Sequence, residues 1–128
     1  MSLGPTDTME ILQLVARADD CASARDAEAY VALFTEDAVM SGTQGGAAGR
    51  AQLLEAVAAV WAREPADTLH LTLNAVVKET APEPTVTSVM LMVAAGAPGE
   101  VLGSARVSQT VRRTATGWRI SERHIAES

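Results

Sequence analysis

The stretch Ala32-Leu33-Phe34-Thr35-Glu36-Asp37-Ala38-Val39 indicates the end of a helix that turns directly into a strand. A second stretch, Arg113-Thr114-Ala115-Thr116-Gly117-Trp118-Arg119-Ile120, indicates two strands joined by a tight glycine turn. Together they frame a small α+β domain whose helices lie across a bent sheet. Because such an architecture usually encloses one pocket, the residues that line the pocket decide the function.

The length and composition predict one ordinary globular domain over residues 1–128, with a core of about residues 9–125. Apolar residues make up 48% of the chain and charged residues 20%. The net charge is −6 and no cluster of lysine or arginine is present, which argues against nucleic acid as a partner. No apolar run is long enough to span a membrane and no signal-peptide pattern opens the chain, so we expect no membrane association and a cytoplasmic protein.

Three helices are predicted in the first half of the chain. Apolar residues at helical spacing predict the first helix from about Thr8 to Ala22, with Asp7 and Glu10 as a capping box. Asp26 is positioned to cap a second helix. The third has the clearest apolar stripe: Leu53, Leu54, Val57, Val60 and Trp61.

The second half of the chain predicts four long antiparallel strands. In the first of them, three leucines at positions 69, 71 and 73 alternate with His70, Thr72 and Asn74. The next strand, from Val86 to Ala95, is apolar almost throughout, which suggests burial on both faces. In the last strand, alternation places Trp118, Ile120, Glu122 and His124 on one face.

The strand from Val86 to Ala95, apolar on both faces, predicts contact with a second chain. The helices cover one face of the sheet, so the other face needs cover of its own. A second copy of the chain would provide it, and we therefore expect a homodimer formed through the sheet.

The chain resembles the SnoaL-like family of the nuclear transport factor 2-like superfamily. The resemblance lies in residues 30–39, in Gly49-Arg50, in residues 69–74 and in residues 117–124, and it extends from about Met9 to Ile125. It implies a cone-shaped fold in which three N-terminal helices pack on a strongly bent antiparallel sheet and enclose a cavity. The superfamily includes dehydratases, isomerases, cyclases, epoxide hydrolases and proteins without catalysis, so the fold does not select a function.

The resemblance also implies which chemistry the pocket can hold. Members similar to ketosteroid isomerase use an aspartate base at the position of Gly42 and a tyrosine near Ala18, and both side chains are missing here. Members similar to scytalone dehydratase use a histidine on the first long strand, where His70 stands. Their Tyr-Asp pair falls near Ala22-Ser23, and their second histidine has no counterpart.

His70 is therefore the main catalytic candidate, as a general acid or base with a carboxylate or amide within hydrogen-bonding reach. Asp19 or Asp20 is predicted to orient it, since acidic residues at a helix C-terminus oppose the helix dipole. Asn74 is predicted to hold a substrate oxygen. If the leucine face of the strand fills the cavity instead, His70 points to the dimer interface. Further ligand contacts are predicted for Tyr30, Trp61, Met90 and Met92.

Two functions stay open at this stage. One is a cofactor-independent lyase, isomerase or cyclase that acts on a small, mostly apolar carbonyl compound by His70-mediated proton transfer. The other is a non-catalytic ligand-binding or dimerisation module with the same fold. Neither requires a cofactor, and two histidines far apart with a single cysteine make no metal site.

Overall fold

The computed structural model describes residues 2–43, 45–96 and 98–127. Within these ranges the chain forms three helices and six strands. The helices are α1 (Pro5–Ser23), α2 (Ala27–Val31) and α3 (Arg50–Ala62). The strands are β1 (Phe34–Gly42), β2 (Ala47–Ala48), β3 (Thr68–Lys78), β4 (Thr85–Ala94), β5 (Glu100–Thr114) and β6 (Gly117–Glu127).

The helix starts follow from local capping. Asp26 accepts a hydrogen bond from the Ala29 amide at 3.1 Å and caps α2, as predicted. The start of α1 was predicted too late, because Pro5 suits the first helical position and begins the helix. Asp7 consequently lies inside the first turn, where its carboxylate accepts from the Gly4 amide at 3.4 Å.

The six strands form one sheet in the order β2-β1-β6-β5-β4-β3. Strands β3 to β6 are the predicted antiparallel meander. β1 runs parallel to β6, so the sheet is mixed rather than antiparallel throughout. β1 can pair in parallel with β6 because the long stretch of chain between the two strands serves as the crossover connection.

A β-bulge at Ser121 changes the inward face of β6. Thr110 pairs with Glu122, whereas Val111 pairs with Ile120, which leaves Ser121 as an extra residue on β6. Ile120, Ser121 and Arg123 are all buried, and Glu122 is exposed. The predicted common face of Ile120, Glu122 and His124 is therefore wrong, because strict alternation cannot anticipate the bulge.

The inner face of β3 is polar and its outer face is apolar. Thr68 and His70 are buried toward the helices. Leu69, Leu71 and Leu73 point away and are 39%, 39% and 43% exposed. They pair with half-buried residues of β4, and we call the six together the outer apolar face: Leu69, Leu71, Leu73, Val89, Leu91 and Val93.

Strand β4 is fully buried on one face only. Val86, Ser88 and Met90 face inward and are buried, whereas the residues between them remain half-buried. The predicted burial on both faces is thus not reached within one chain. The core lies between the inner face of the sheet and the helices, and it includes the fully enclosed side chains of Ile11, Phe34, Leu53, Val111 and Ile120. No helix in the described ranges has the length and apolar character needed to cross a membrane.

Candidate functional site

A pocket of about 400 Å³ lies between the helices and the inner face of the sheet. Most of its wall is aliphatic, methionine or tryptophan: Ala18, Ala22, Val57, Val60, Trp61, Met90 and Met92. Polar or ionisable side chains also reach it, namely Asp19, Tyr30, Thr43, Arg63, Glu64, Thr68, His70, Ser104 and Arg123. The pocket is thus an apolar cavity with a few polar groups at defined positions, which is typical of small-molecule sites.

His70 enters the pocket from β3 and is only 7% exposed. Its Nε2 lies 2.8 Å from Oε1 of Glu64, which belongs to the turn after α3. A carboxylate only accepts hydrogen bonds, so Nε2 carries the proton and Nδ1 keeps a lone pair. Among the described residues none forms a hydrogen bond with Nδ1. The Ser23 hydroxyl accepts from the His70 amide at 2.9 Å and fixes the backbone behind the ring.

Arg25 also binds Glu64. Its Nη1 lies 2.9 Å from the same Oε1, and its Nη2 donates to the Pro65 carbonyl at 2.8 Å. Arg25 adopts φ +60°, a left-handed conformation that turns the chain between α1 and α2. The result is a hydrogen-bonded chain, Arg25–Glu64–His70, in which a second residue orients the histidine, as in many acid–base sites.

Asp19 and Tyr30 supply two further ionisable groups. Burial raises the pKa of the Asp19 carboxyl, while hydrogen bonding from Thr72 and the charges of Arg123 and His70 act in the opposite direction. Burial likewise raises the pKa of the Tyr30 phenol, so it remains protonated. Burial thus favours the protonated form of each group inside the pocket.

Aromatic rings pack behind these groups. Trp61 lies edge-on to His70 with 6.3 Å between ring centroids, and edge-on to Tyr30 at 5.1 Å. Tyr30 also packs against Phe34 at 5.1 Å. Such contacts restrict the rotamers of His70 and Tyr30 and keep them in place.

Arg123 reaches the pocket from β6. It is 6% exposed, and its Nη2 lies 3.5 Å from the sulfur of Met90. Its Nε is buried without a hydrogen-bond partner. The Ser121 bulge is what directs this side chain inward.

Six of the predicted site residues lie together in the pocket: Asp19, Tyr30, Trp61, His70, Met90 and Met92. Two do not. Asp20 is exposed, because the next position along a helix points about 100° away from Asp19. Asn74 is exposed at a β-bulge, with φ +54°, where the β3–β4 register shifts.

The partner of His70 is also corrected. A carboxylate or amide from Asp19, Asp20 or Asn74 was predicted, whereas the partner is the carboxylate of Glu64. Glu64 lies near the C-terminus of α3, where an acidic residue opposes the helix dipole, and the reasoning applied to Asp19 would have found it. Arg25 and Ser23 carry no signal in the sequence, since their roles depend on how the α1–α2 turn meets β3.

A sequence model of the SnoaL-like domain matches residues 6–124. The chain belongs to the SnoaL-like family. Among solved structures, this SnoaL-like chain is similar to a protein of unknown function with a cystatin-like fold from Nostoc punctiforme. The two are 28% identical with a TM-score of 0.90, over 100% of this chain and 96% of that one.

Two other structures extend the comparison. A nuclear transport factor 2-like protein with a cystatin-like fold from Novosphingobium aromaticivorans is 26% identical with a TM-score of 0.79, over 95% of this chain and 82% of that one. A Catenulispora acidiphila protein in complex with S-DNPA is 20% identical with a TM-score of 0.81, over 93% and 91% of the two chains. A search of the curated proteins found no match.

Metal ligands are not grouped in the part of the chain that the structure describes. No set of three or more histidine, cysteine, aspartate or glutamate side chains is arranged there to hold a metal ion. The ionisable groups of the pocket are instead a histidine–glutamate pair, a half-buried aspartate, a phenol and the guanidinium groups of Arg63 and Arg123.

Proposed function

We propose that this SnoaL-like protein is a cofactor-independent enzyme that transfers a proton on a small, mostly apolar carbonyl compound. His70 is the acid–base residue, and the reaction class is dehydration, isomerisation or cyclisation. The observation that carries the proposal is the 2.8 Å contact between His70 Nε2 and Glu64 Oε1 at the wall of an apolar pocket.

The geometry gives each group a role. With Nε2 hydrogen-bonded to Glu64, Nδ1 of His70 is free to take a proton from a carbon next to a carbonyl group. Glu64 then stabilises the imidazolium that results. Tyr30, which burial keeps protonated, donates to the oxygen that leaves or becomes an enol, and Asp19 can do the same in its protonated form, which burial favours. Trp61, Met90 and Met92 hold the apolar part of the compound.

A non-catalytic ligand-binding module is the second candidate. One observation favours it: Arg25 and His70 share the same oxygen of Glu64, so the network also ties the α1–α2 turn to α3 and β3. In that case the histidine stabilises the pocket wall without transferring protons. The ligand complex of the Catenulispora protein supports small-molecule binding under either candidate.

Proton exchange in deuterated water separates the two candidates without knowledge of the natural substrate. A panel of β-hydroxy ketones, α,β-unsaturated ketones and cyclic ketones is incubated with the protein, and replacement of C–H by C–D is followed by NMR. His70→Gln keeps an N–H for Glu64 but removes the base, and exchange is expected to fall by roughly a hundredfold or more. His124→Gln is the matched control, since the exposed His124 contacts Ser41 and lies outside the pocket.

Two results would count against catalysis. One is exchange by His70→Gln at the rate of the unmodified protein. The other is binding of several panel members with no exchange above the uncatalysed rate, which would establish the binding module instead.

We also propose that two chains associate through the outer apolar face. Its six side chains form a continuous apolar patch on two neighbouring strands, and its leucines are about two-fifths exposed. A second copy is the occupant that a two-fold interface favours, because the same patch then covers itself. Removal of this area from water would supply the burial that β4 lacks in one chain.

A further inference from the structure

We infer that Arg123 binds a carboxylate group of the ligand. The ligand class is then an organic anion with one carboxylate on an otherwise apolar skeleton. The inference rests on the proposed small-molecule function and specifies which compounds the pocket takes.

The first observation is the isolation of the Arg123 charge. The side chain is 94% removed from solvent, and its recorded contact is the thioether of Met90, a weak acceptor at 3.5 Å. None of the ion pairs between described residues includes it, so no described carboxylate lies within 4.0 Å. A guanidinium is always charged, and a buried charge without a partner is strongly destabilising. A ligand anion would remove that cost.

The second observation is the neighbour of Arg123 across the sheet. Gln109 on β5 pairs with Arg123 in register, is 1% exposed, and has no hydrogen-bond partner for either amide atom. Of the four buried side-chain atoms in the described chain that lack a partner, three belong to this pair. Gln109 Oε1 is an acceptor and Arg123 Nε a donor on facing positions of β5 and β6, and neither has a partner among the described residues. The buried polar groups on this part of the wall are therefore left unsatisfied by those residues.

The pocket does not supply a close partner for this charge. Asp19 and Tyr30 both experience the Arg123 charge, but Asp19 forms no ion pair with it, and burial keeps Tyr30 protonated. A planar guanidinium has parallel N–H groups that match the two oxygens of a carboxylate. The walls formed by Met90, Met92 and Ala105 suit the apolar remainder of such a compound.

The test uses pairs of compounds that differ only in charge. trans-Cinnamate and 4-phenylbutanoate are compared with their primary amides by isothermal titration calorimetry on the complete chain. The unmodified protein is expected to bind each carboxylate roughly tenfold or more tightly than its amide, as a charge-assisted pair requires. Arg123→Met, which keeps the length and apolar stem, is expected to lose this preference and to bind the amides within about twofold of the original affinity. Arg119→Gln, on the same strand and outside the pocket, is the matched control and should retain the preference.

A second measurement follows Arg123 directly in the unmodified protein. The NMR signal of its Nε–H group should shift on addition of cinnamate and stay in place on addition of cinnamamide, the corresponding primary amide. Assignment uses Arg123→Lys, which keeps the positive charge. A purely structural arginine would respond equally to both compounds.

The outcomes separate the two proposals. Equal binding of carboxylates and amides by the unmodified protein overturns the carboxylate inference and leaves the small-molecule pocket intact. A preference that survives in Arg123→Met also overturns it. Binding of neither compound at millimolar concentration overturns the carboxylate inference, and the deuterium exchange of the ketone panel then decides the proposed function separately.

Discussion

The side chains of Glu64 and His70 meet across the turn that joins α3 to β3, with 2.8 Å between Glu64 Oε1 and His70 Nε2. Six positions separate the two residues in sequence. The contact gives the pocket an oriented histidine and connects that histidine to Arg25.

Replacement of Glu64 by glutamine tests this orientation. Glu64→Gln removes the negative charge that stabilises a protonated His70, so exchange on an active carbonyl compound is expected to fall by roughly tenfold to a hundredfold. Arg25→Gln leaves the carboxylate in contact with His70 and should reduce the rate less. The assay is the deuterium exchange described above, with circular dichroism to verify folding. An unchanged rate in Glu64→Gln would remove Glu64 from the mechanism.

The raised pKa of Asp19 predicts that the stability of the fold depends on pH. Burial raises the pKa of its carboxyl above the unfolded value, so its contribution is fully present below the unfolded pKa and is lost as pH rises through the folded pKa. Near neutral pH the ionised group therefore destabilises the fold, and Asp19→Asn should be more stable than the unmodified protein. The advantage should shrink at about pH 4, close to the ordinary pKa of aspartate.

Urea denaturation at both pH values measures this difference. Asp20→Asn is the matched control, because it changes the net charge equally at an exposed neighbouring position. The assignment fails if the stability difference for Asp19→Asn is the same at both pH values, or if Asp20→Asn reproduces it.

The outer apolar face predicts the oligomeric state. Light scattering at micromolar concentration should report twice the mass of one chain. Leu71→Lys places a charge in the centre of the face and should yield monomers, since an interface core excludes unpaired charges. Leu12→Lys changes a residue of similar exposure on α1, 37% against 39%, and should stay dimeric. A monomeric unmodified protein would refute the proposal.

The core predicts that truncation of two leucines lowers the free energy of unfolding by very different amounts. Leu53 on α3 is fully buried, so Leu53→Ala should lower the free energy of unfolding by about 2–5 kcal/mol through lost burial and a residual cavity. Leu12→Ala, at a 37% exposed position, should cost less than about 1 kcal/mol. Urea denaturation of both variants gives the comparison, and equal losses would contradict the described core.

Local patterns predicted most of the fold. The apolar stripe of α3 and the alternation in β3 depend on residues close in sequence, and both predictions are confirmed. The parallel pairing of β1 with β6 was missed, because contacts between residues some eighty positions apart leave no periodic signal in either strand.

The site was predicted in part, and irregular backbone limited the rest. His70, Asp19 and part of the apolar wall were predicted, and they line the pocket. The alternation of β3 left the direction of His70 open, and it was the family resemblance that favoured the cavity. Asn74 was misplaced because a bulge with positive φ interrupts the alternation of β3. Arg123 was overlooked for the same reason on β6. A bulge is one extra residue whose position depends on the neighbouring strand, so a single strand's sequence does not reveal it.

The Ser121 bulge therefore decides the sign of the charge that β6 presents to the pocket. If β6 continued without a bulge, strict alternation from Ile120 would turn Ser121 to solvent, Glu122 to the pocket and Arg123 to solvent. The pocket would then hold an anion in place of a cation with no change in the amino-acid sequence. A change of register by one residue in the last strand is thus enough to reverse the charge of the pocket wall.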